Sequence, residues 1–116
     1  MTPGDIHWVE LPPTSGHEQV GRRPAVILQD DTYGGDLPLV VVVPLTGAIA
    51  ASRFAATLIL EPTPENGLRQ ASVALVFQVR AIDRRIIRER IGAVRQEVLT
   101  EIYALLDRLT GRSAAV

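Results

Sequence analysis

Short apolar or alternating segments, each closed by Pro or Gly, run along this chain as far as Val79 and restrict it to a small β-rich fold. The pattern predicts five strands, over residues 4–11, 24–28, 39–45, 56–61 and 71–79. Short strands joined by tight turns favour a strongly twisted antiparallel sheet, and we expect this one to close as a small barrel.

The hydrophobic period changes after these strands. From Glu97 onward the apolar residues recur at helical spacing, Arg108 lies in the last turn, and Gly111 is a typical helix stop. A shorter helix is predicted over residues 84–90, where two Ile alternate with charged residues. The chain is therefore expected to be an α+β domain with a short helix and a C-terminal helix.

Length and composition exclude several classes of protein. A chain of 116 residues fits one domain, and an apolar content of 47% is ordinary for a globular fold. No apolar run approaches the roughly 20 residues that span a bilayer, and Met1 leads into no secretory signal, so a cytoplasmic protein without a membrane partner is expected. The absence of cysteine excludes disulfides, thiolate catalysis and Cys-based zinc sites. Because His, Asp and Glu do not cluster at ligand spacing, we expect neither a metal nor a cofactor.

The charge of the chain is nearly balanced, at −1, yet all 12 of its basic residues are Arg. Genomic codon bias is a sufficient explanation, and guanidinium groups also suit bidentate contacts with phosphate. Composition does not separate the two explanations. A nearly neutral chain that binds a polyanion has to concentrate its positive charge locally.

One polar loop carries most of the chemically active side chains. It reads Gly16-His17-Glu18-Gln19-Val20-Gly21-Arg22-Arg23-Pro24 and leads into the second predicted strand. A residue before a proline is held in an extended conformation, which fixes the direction in which Arg23 leaves the backbone. The next predicted strand ends in Pro44-Leu45-Thr46 and so presents a hydroxyl at its tip.

These two segments resemble the MazF/PemK family of toxin endoribonucleases of type II toxin–antitoxin systems. The family pattern is a G-[SH]-E-Q-x-G-x-R-P block after the first strand and a V-x-P-[ILV]-T strand end. The resemblance extends over about residues 4–111, within a single domain of residues 1–116. It implies an SH3-like barrel with helix insertions.

The resemblance also implies an activity, which is sequence-specific, metal-independent cleavage of single-stranded RNA. The ribose 2′-OH attacks the adjacent phosphorus and leaves a 2′,3′-cyclic phosphate and a free 5′-OH. Such a step needs a base, an acid and donors for the phosphoryl charge. Arg23 and Thr46 are expected to face each other across the RNA backbone and to hold its phosphate, unless Arg23 is only a surface ion pair. Glu18 is the third expected catalytic residue, and either Glu18 or His17 is the base or the acid.

A second run, Gln78-Val79-Arg80-Ala81-Ile82-Asp83, matches the family's Q-x-R-x-[IL]-D pattern. Gln78 and Arg80 are therefore expected to contact RNA, together with His17 and Gln19 of the loop. Arg22 falls at a variable family position, so it is interpreted as a solvated or phosphate-steering charge.

The chain departs from the family pattern in three places. PemK-like members carry an Arg and an Asp where this chain has Leu75 and Phe77. Catalysis is therefore expected to depend on the polar loop and on Thr46. Phe77 is either a core residue or a surface on which a base stacks. Gly47 follows Thr46 where the family often has Ser or Thr, so one possible hydrogen-bond donor is missing.

The resemblance finally implies partners. They are single-stranded RNA, a MazE-like cognate antitoxin, a second copy of the chain in a homodimer, and operator DNA only through the antitoxin. Two alternatives stay open. One is a non-catalytic SH3-like binding module of the kind that poisons gyrase, and the other is a degenerate relative that only binds antitoxin and operator.

Overall fold

The computed structural model describes residues 1–112, which form an antiparallel sheet with one long helix. The seven strands found in this range are β1 (Asp5–Leu11), β2 (Gly21–Ile27), β3 (Leu39–Thr46), β4 (Thr57–Leu60), β5 (Ser72–Leu75), β6 (Arg80–Asp83) and β7 (Ile87–Ala93). The helices are α1 (Asp31–Gly34) and α2 (Gln96–Leu109), and 3₁₀ turns cover Ile49–Arg53, Val76–Gln78 and Arg84–Ile86.

The sheet is open. Its strands follow the order β4-β5-β3-β2-β1-β7, and every pairing is antiparallel. Strand β6 lies off this path and pairs with Leu39–Val42 of β3, while β5 pairs with the last two residues of β3. Within residues 1–112 no ladder joins β4 to β7, so the expected closure into a barrel is not found. The α+β class and the C-terminal helix are as predicted.

Both faces of the central strands are buried. One core cluster contains Val26, Val43 and Leu45 together with Ile102 of α2. The other contains residues of alternate parity on the same strands, such as Ile27 and Val42. A strand buried on both faces needs a continuous apolar run rather than an alternating one, which accounts for residues 42–45 of β3, whereas Leu39 and Val41 at its start are exposed.

Helix α2 closes the first core cluster. Ile102 is fully buried there, and Val98, Leu105 and Leu106 pack around it. The helix ends at Thr110, and Gly111 follows in the left-handed region at φ 77°, a common conformation for a residue just past a helix end. No helix in residues 1–112 has the length and apolarity to cross a membrane.

Two predicted elements were wrong. The fifth strand ends at Leu75, because a 3₁₀ turn over Val76–Gln78 interrupts it before β6 begins. The helix predicted over residues 84–90 is a single 3₁₀ turn, Arg84–Ile86, followed by the edge strand β7.

The physical reason lies in partners that sequence cannot show. Asp83 accepts a hydrogen bond from the amide of Arg85 at 2.8 Å and caps the short turn. The chain then pairs with β1, where Arg88 reaches Glu10 at 3.0 Å and Arg90 reaches Asp5 at 3.4 Å. Charged side chains are well suited to an edge strand, because they discourage pairing with another chain.

Candidate active site

Strands β2 and β3 bring Arg23 and Thr46 to the same place. Their ladder pairs Ile27 with Val42 and ends at Ala25 and Pro44. Past Pro44, β3 pairs with β5 instead, and Thr46 lies opposite Val73. The two residues that the sequence singled out both lie just beyond the end of the β2–β3 ladder, and both line the same cleft.

A cleft of about 700 Å³ opens at this point, and we call it the Arg23 cleft. Arg23, Pro24, Thr46 and Gly47 form one part of its wall. The rest comes from β1, β2, β5, β7 and the β4–β5 connection, chiefly through Trp8, Arg22, Arg69, Gln70, Ser72 and Arg90. Four guanidinium groups line the cavity, and two of them, Arg22 and Arg90, are paired with Glu89 and Asp5.

Arg23 is held by its backbone and by one hydrogen bond. Its Nε donates to the carbonyl oxygen of Val20 at 3.2 Å, and this hydrogen bond fixes the orientation of the planar guanidinium group. No carboxylate lies within ion-pair distance of Arg23 anywhere in residues 1–112, so the surface ion pair considered above is not present. The terminal nitrogens are left to bind an anion in the cleft.

Thr46 is buried, with 5% of its surface exposed, and its hydroxyl is already oriented. The amide of Ala48 donates to Thr46 Oγ1 at 3.2 Å. A hydroxyl that accepts one hydrogen bond still has its own hydrogen to donate. Thr46 therefore presents a donor to the cleft, opposite the guanidinium of Arg23.

The space beside Gly47 is filled by another polar group. A Cβ placed on Gly47 would lie 2.5 Å from Nε2 of Gln70. Gln70 also lines the Arg23 cleft, so its amide stands where the missing Ser or Thr side chain would be. The sequence carried no signal for this placement, because the turn that holds Gln70 is brought in by the pairing of β4 with β5.

Gln78 and Arg80, two of the four residues that were predicted to contact RNA, anchor the polar loop. Gln78 Oε1 accepts from the amide of Gln19 at 2.8 Å, and Gln78 Nε2 donates to the carbonyl of His17 at 3.3 Å. Arg80 Nη2 donates to the carbonyl of Gln19 at 2.7 Å. Gln78 and Arg80 thus hold the backbone of the loop across about 60 residues of sequence.

Glu18 lies on the exposed loop and lines neither of the clefts described here. Thr14 Oγ1 donates to Glu18 Oε2 at 2.5 Å, and the carboxylate folds back over Gly16. That hydrogen bond, a backbone hydrogen bond and the nearby charges of Arg80 and His17 lower the pKa of Glu18 below its usual 4.5. Glu18 is therefore ionised at neutral pH and able to accept a proton.

A second cleft, of about 450 Å³, lies on the other side of the loop. We call it the aromatic cleft, because both Phe residues of the chain, Phe54 and Phe77, line it. His17, Gln19, Gln78, Arg53, Ala51 and Leu75 complete its wall. The predicted site residues are thus divided between two clefts, with Arg23 and Thr46 in one and His17, Gln19 and Gln78 in the other.

Arg22 is not a free steering charge. It pairs with Glu89 of β7, and its guanidinium carbon lies 4.7 Å from the ring centroid of Trp8. Trp8, Arg69 and Arg90 were missed as residues of the site. Of these three, only Trp8 had a signal in the sequence, because the alternation along β1 sets its side chain on the same face as Ile6. Within residues 1–112 no three His, Asp or Glu side chains converge as a potential metal-binding group.

Comparison with known proteins agrees with the motifs. A sequence profile of the PemK-like, MazF-like toxins of type II toxin–antitoxin systems matches residues 2–110. The chain is similar to the endoribonuclease MazF of Staphylococcus saprophyticus, with 31% identity over 107 residues, 92% of this chain and 88% of the relative.

Solved structures give the same result. The fold is similar to that of MazF from Deinococcus radiodurans, with 31% identity, a TM-score of 0.80 and 96% of each chain covered. A crystal structure of MazE–MazF from the same organism contains a chain that is 30% identical, with a TM-score of 0.74 and 97% of each chain covered.

Proposed function

The chain belongs to the MazF/PemK family of endoribonuclease toxins, and we propose that it cleaves single-stranded RNA at the Arg23 cleft without a metal ion. The observation that carries this proposal is that Arg23 and Thr46 line one cleft just beyond the end of the β2–β3 ladder. A guanidinium fork and an oriented hydroxyl on one cleft wall are the donors that a phosphate in a pentavalent transition state requires.

In the proposed reaction the ribose 2′-oxygen attacks phosphorus and the bond to the 5′-oxygen breaks. Arg23 binds two non-bridging oxygens, and Thr46 donates to one of them. The products are a 2′,3′-cyclic phosphate and a 5′-OH end. Charge that grows on the phosphoryl oxygens meets donors that are already in place, so little reorganisation opposes the step.

Glu18 is the proposed base and His17 the proposed acid. Glu18 is ionised at neutral pH and accepts the proton of the 2′-OH, and the hydrogen bond from Thr14, which is the largest cause of its lowered pKa, makes it a weaker base until that bond is exchanged. His17 is a neighbour on the same loop and belongs to the residue type best suited to donate a proton near neutral pH. Hydrogen bonds of this kind often tighten only in the substrate complex. Glu18 has to exchange Thr14 for the substrate hydroxyl when RNA binds.

The proposed RNA path uses the charge of the cleft. Arg69 and Arg90 are exposed on its wall and bind the phosphates that flank the cleaved one. Gln19 and Gln78 lie in the wall of the neighbouring cleft and contact bases, while Arg80 holds the loop through the backbone carbonyl of Gln19. Few phosphate contacts imply a moderate dependence of binding on salt.

The proposed partners are those of the family. We propose that a cognate antitoxin of the MazE kind inhibits the toxin in the cytoplasm, that the chain forms a homodimer, and that it reaches operator DNA only through the antitoxin. The MazE–MazF structure of the Deinococcus relative supports the antitoxin. As part of the same proposal, we assign the open sheet to the SH3-like type of fold.

The test is cleavage of a long single-stranded RNA in the presence of a chelator, with both product ends mapped. We expect discrete cuts with 5′-OH and 2′,3′-cyclic phosphate ends, lost in Arg23→Ala and in Thr46→Val. Arg108→Ala is the matched control, because Arg108 is an exposed Arg on α2 that has no ion pair within residues 1–112 and lines neither cleft.

Two outcomes would contradict the proposal in different ways. Full activity in Arg23→Ala would refute the assigned mechanism. No cleavage of any RNA by a folded wild-type protein would instead favour the non-catalytic binding module.

A further inference from the structure

The aromatic cleft contains an unusual pair of rings for a surface. The centroids of Phe54 and Phe77 are 5.5 Å apart and their planes are tilted by 56°. Phe54 is 46% exposed, and Phe77 is half-buried beneath the same opening. A chain with only two Phe residues has set both at one surface cleft instead of in its core.

The edge of this cleft is charged and polar. The guanidinium carbon of Arg53 lies 4.4 Å from the ring centroid of Phe54, with Nη1 held by the carbonyl of Ala50 at 3.0 Å. Gln19 also lines the cleft, and its side-chain oxygen is buried with no hydrogen-bond partner in the described part of the chain. An unsatisfied buried acceptor is costly, and a bound donor removes that cost.

The aromatic cleft and the Arg23 cleft share no lining residue, but the same two segments of chain contribute to both. The polar loop contributes Gln19 to the aromatic cleft and Arg23 to the other. Strand β3 ends with Thr46 in the Arg23 cleft, and the 3₁₀ turn that follows it carries Arg53 into the aromatic cleft. An RNA strand that follows these two segments passes from one cleft to the other.

We propose that the aromatic cleft is a nucleobase subsite, in which one unpaired base next to the cleaved phosphate stacks on Phe54 and Phe77. The subsite sets part of the sequence preference of cleavage. It rests on the proposed function, because its occupant is the RNA substrate. A cleft of about 450 Å³ with two rings and one guanidinium on its wall matches the chemistry of a flat aromatic base. Gln19 accepts a hydrogen bond from the edge of that base.

The replacement of a carboxylate supports this occupant. Where PemK-like members carry an Asp, this chain has Phe77, so a negative charge that would repel the RNA backbone is absent and a stacking surface is present. Stacking of one base on an aromatic residue corresponds to about a 5- to 150-fold change in affinity. We expect an effect in this range on KM, with a smaller effect on kcat.

The experiment compares Phe54→Leu with Phe54→Trp. Leu keeps an apolar side chain, so the fold is preserved, but it removes the π-face, whereas Trp restores it. Tyr33→Leu is the matched control, since Tyr33 is an aromatic residue that is 96% exposed and outside both clefts. We expect Phe54→Leu to raise KM for a short RNA and to relax the base preference at one position beside the cut in a mixed RNA pool. Phe54→Trp should keep both properties.

A binding measurement separates this proposal from the proposed function. RNA with 2-aminopurine beside the cut site is added to Arg23→Ala protein, and quenching of its fluorescence reports stacking. Quenching that disappears when Phe54→Leu is added to Arg23→Ala supports the subsite even if the wild type cleaves nothing. Unchanged KM, base preference and quenching in Phe54→Leu would overturn it, even if cleavage itself is normal.

Discussion

Replacement of Arg23 by Lys tests whether catalysis needs the bidentate guanidinium group of Arg23 or only its positive charge. Nε of Arg23 is committed to the carbonyl of Val20, and the two terminal nitrogens are left for two phosphoryl oxygens. Hydrogen bonds to charged groups are worth about 1.5 to 3 kcal/mol each. Loss of both in Arg23→Ala therefore corresponds to about 3 to 6 kcal/mol, or about a 10²- to 10⁴-fold fall in kcat.

Lys keeps one charged donor and loses the other, so about half of that free energy is lost. We expect Arg23→Lys to lower kcat by about 10- to 100-fold. Lys also lacks the Nε hydrogen that Val20 accepts, so its ammonium is not held in one direction. The two variants should differ in a second respect. Arg23→Ala reduces the salt dependence of RNA binding by about one counterion, and Arg23→Lys leaves it unchanged.

The assay is single-turnover cleavage of a short RNA of known cut site, with binding titrated at several salt concentrations. Arg108→Ala serves as the control for loss of one positive charge away from the site. An Arg23→Lys rate within about twofold of the wild type would refute the bidentate geometry. If the logarithm of the RNA-binding constant falls equally steeply with the logarithm of salt concentration for Arg23→Ala and the wild type, phosphate binding by Arg23 is refuted.

Three further changes test other parts of the site and fold. Thr14→Val removes the hydrogen bond that lowers the pKa of Glu18, so the acid limb of the pH–rate profile should move to higher pH, and an unmoved limb would argue against Glu18 as the base. Gln78→Leu removes two hydrogen bonds to the loop, and faster amide hydrogen exchange in residues 14–20 but not in α2 is expected by mass spectrometry. Asp83→Asn keeps the oxygen that caps its turn but removes the charge that Arg85 neutralises. The folded pKa of Asp83, about 2, lies below its usual 3.8, so its charge stabilises the fold above that value and the contribution is lost as pH falls toward 2. The free energy of unfolding, measured with urea, should therefore fall less for the variant than for the wild type as the pH is lowered from 3.8 to about 2. Parallel plots of this free energy against pH would count against the ion pair.

The sequence predicted those parts of the molecule that depend on local pattern. The amphipathic helix ended by Gly111 and the apolar run of β3 were both visible, because each follows from its own residues. Strand β7 was mistaken for a helix, because its charged side chains find their partners on β1, far away in the chain. The two-cleft arrangement was equally invisible, since it depends on Gln78 reaching back to fasten the loop at Gln19.

Two prolines explain why residues 23 positions apart in sequence meet in one cleft. Pro24 and Pro44 both lack a backbone N–H, so neither can donate a ladder hydrogen bond. The β2–β3 ladder ends at Ala25 and Pro44, where the two prolines lie on adjoining strands. Beyond that point each strand keeps its other partner, because Arg23 lies opposite Val9 of β1 and Thr46 lies opposite Val73 of β5. The Arg23 cleft opens where β2 and β3 part, and both functional residues line it. The proline in each motif thus has the same physical role, which is to help end this one ladder next to the group that the reaction needs.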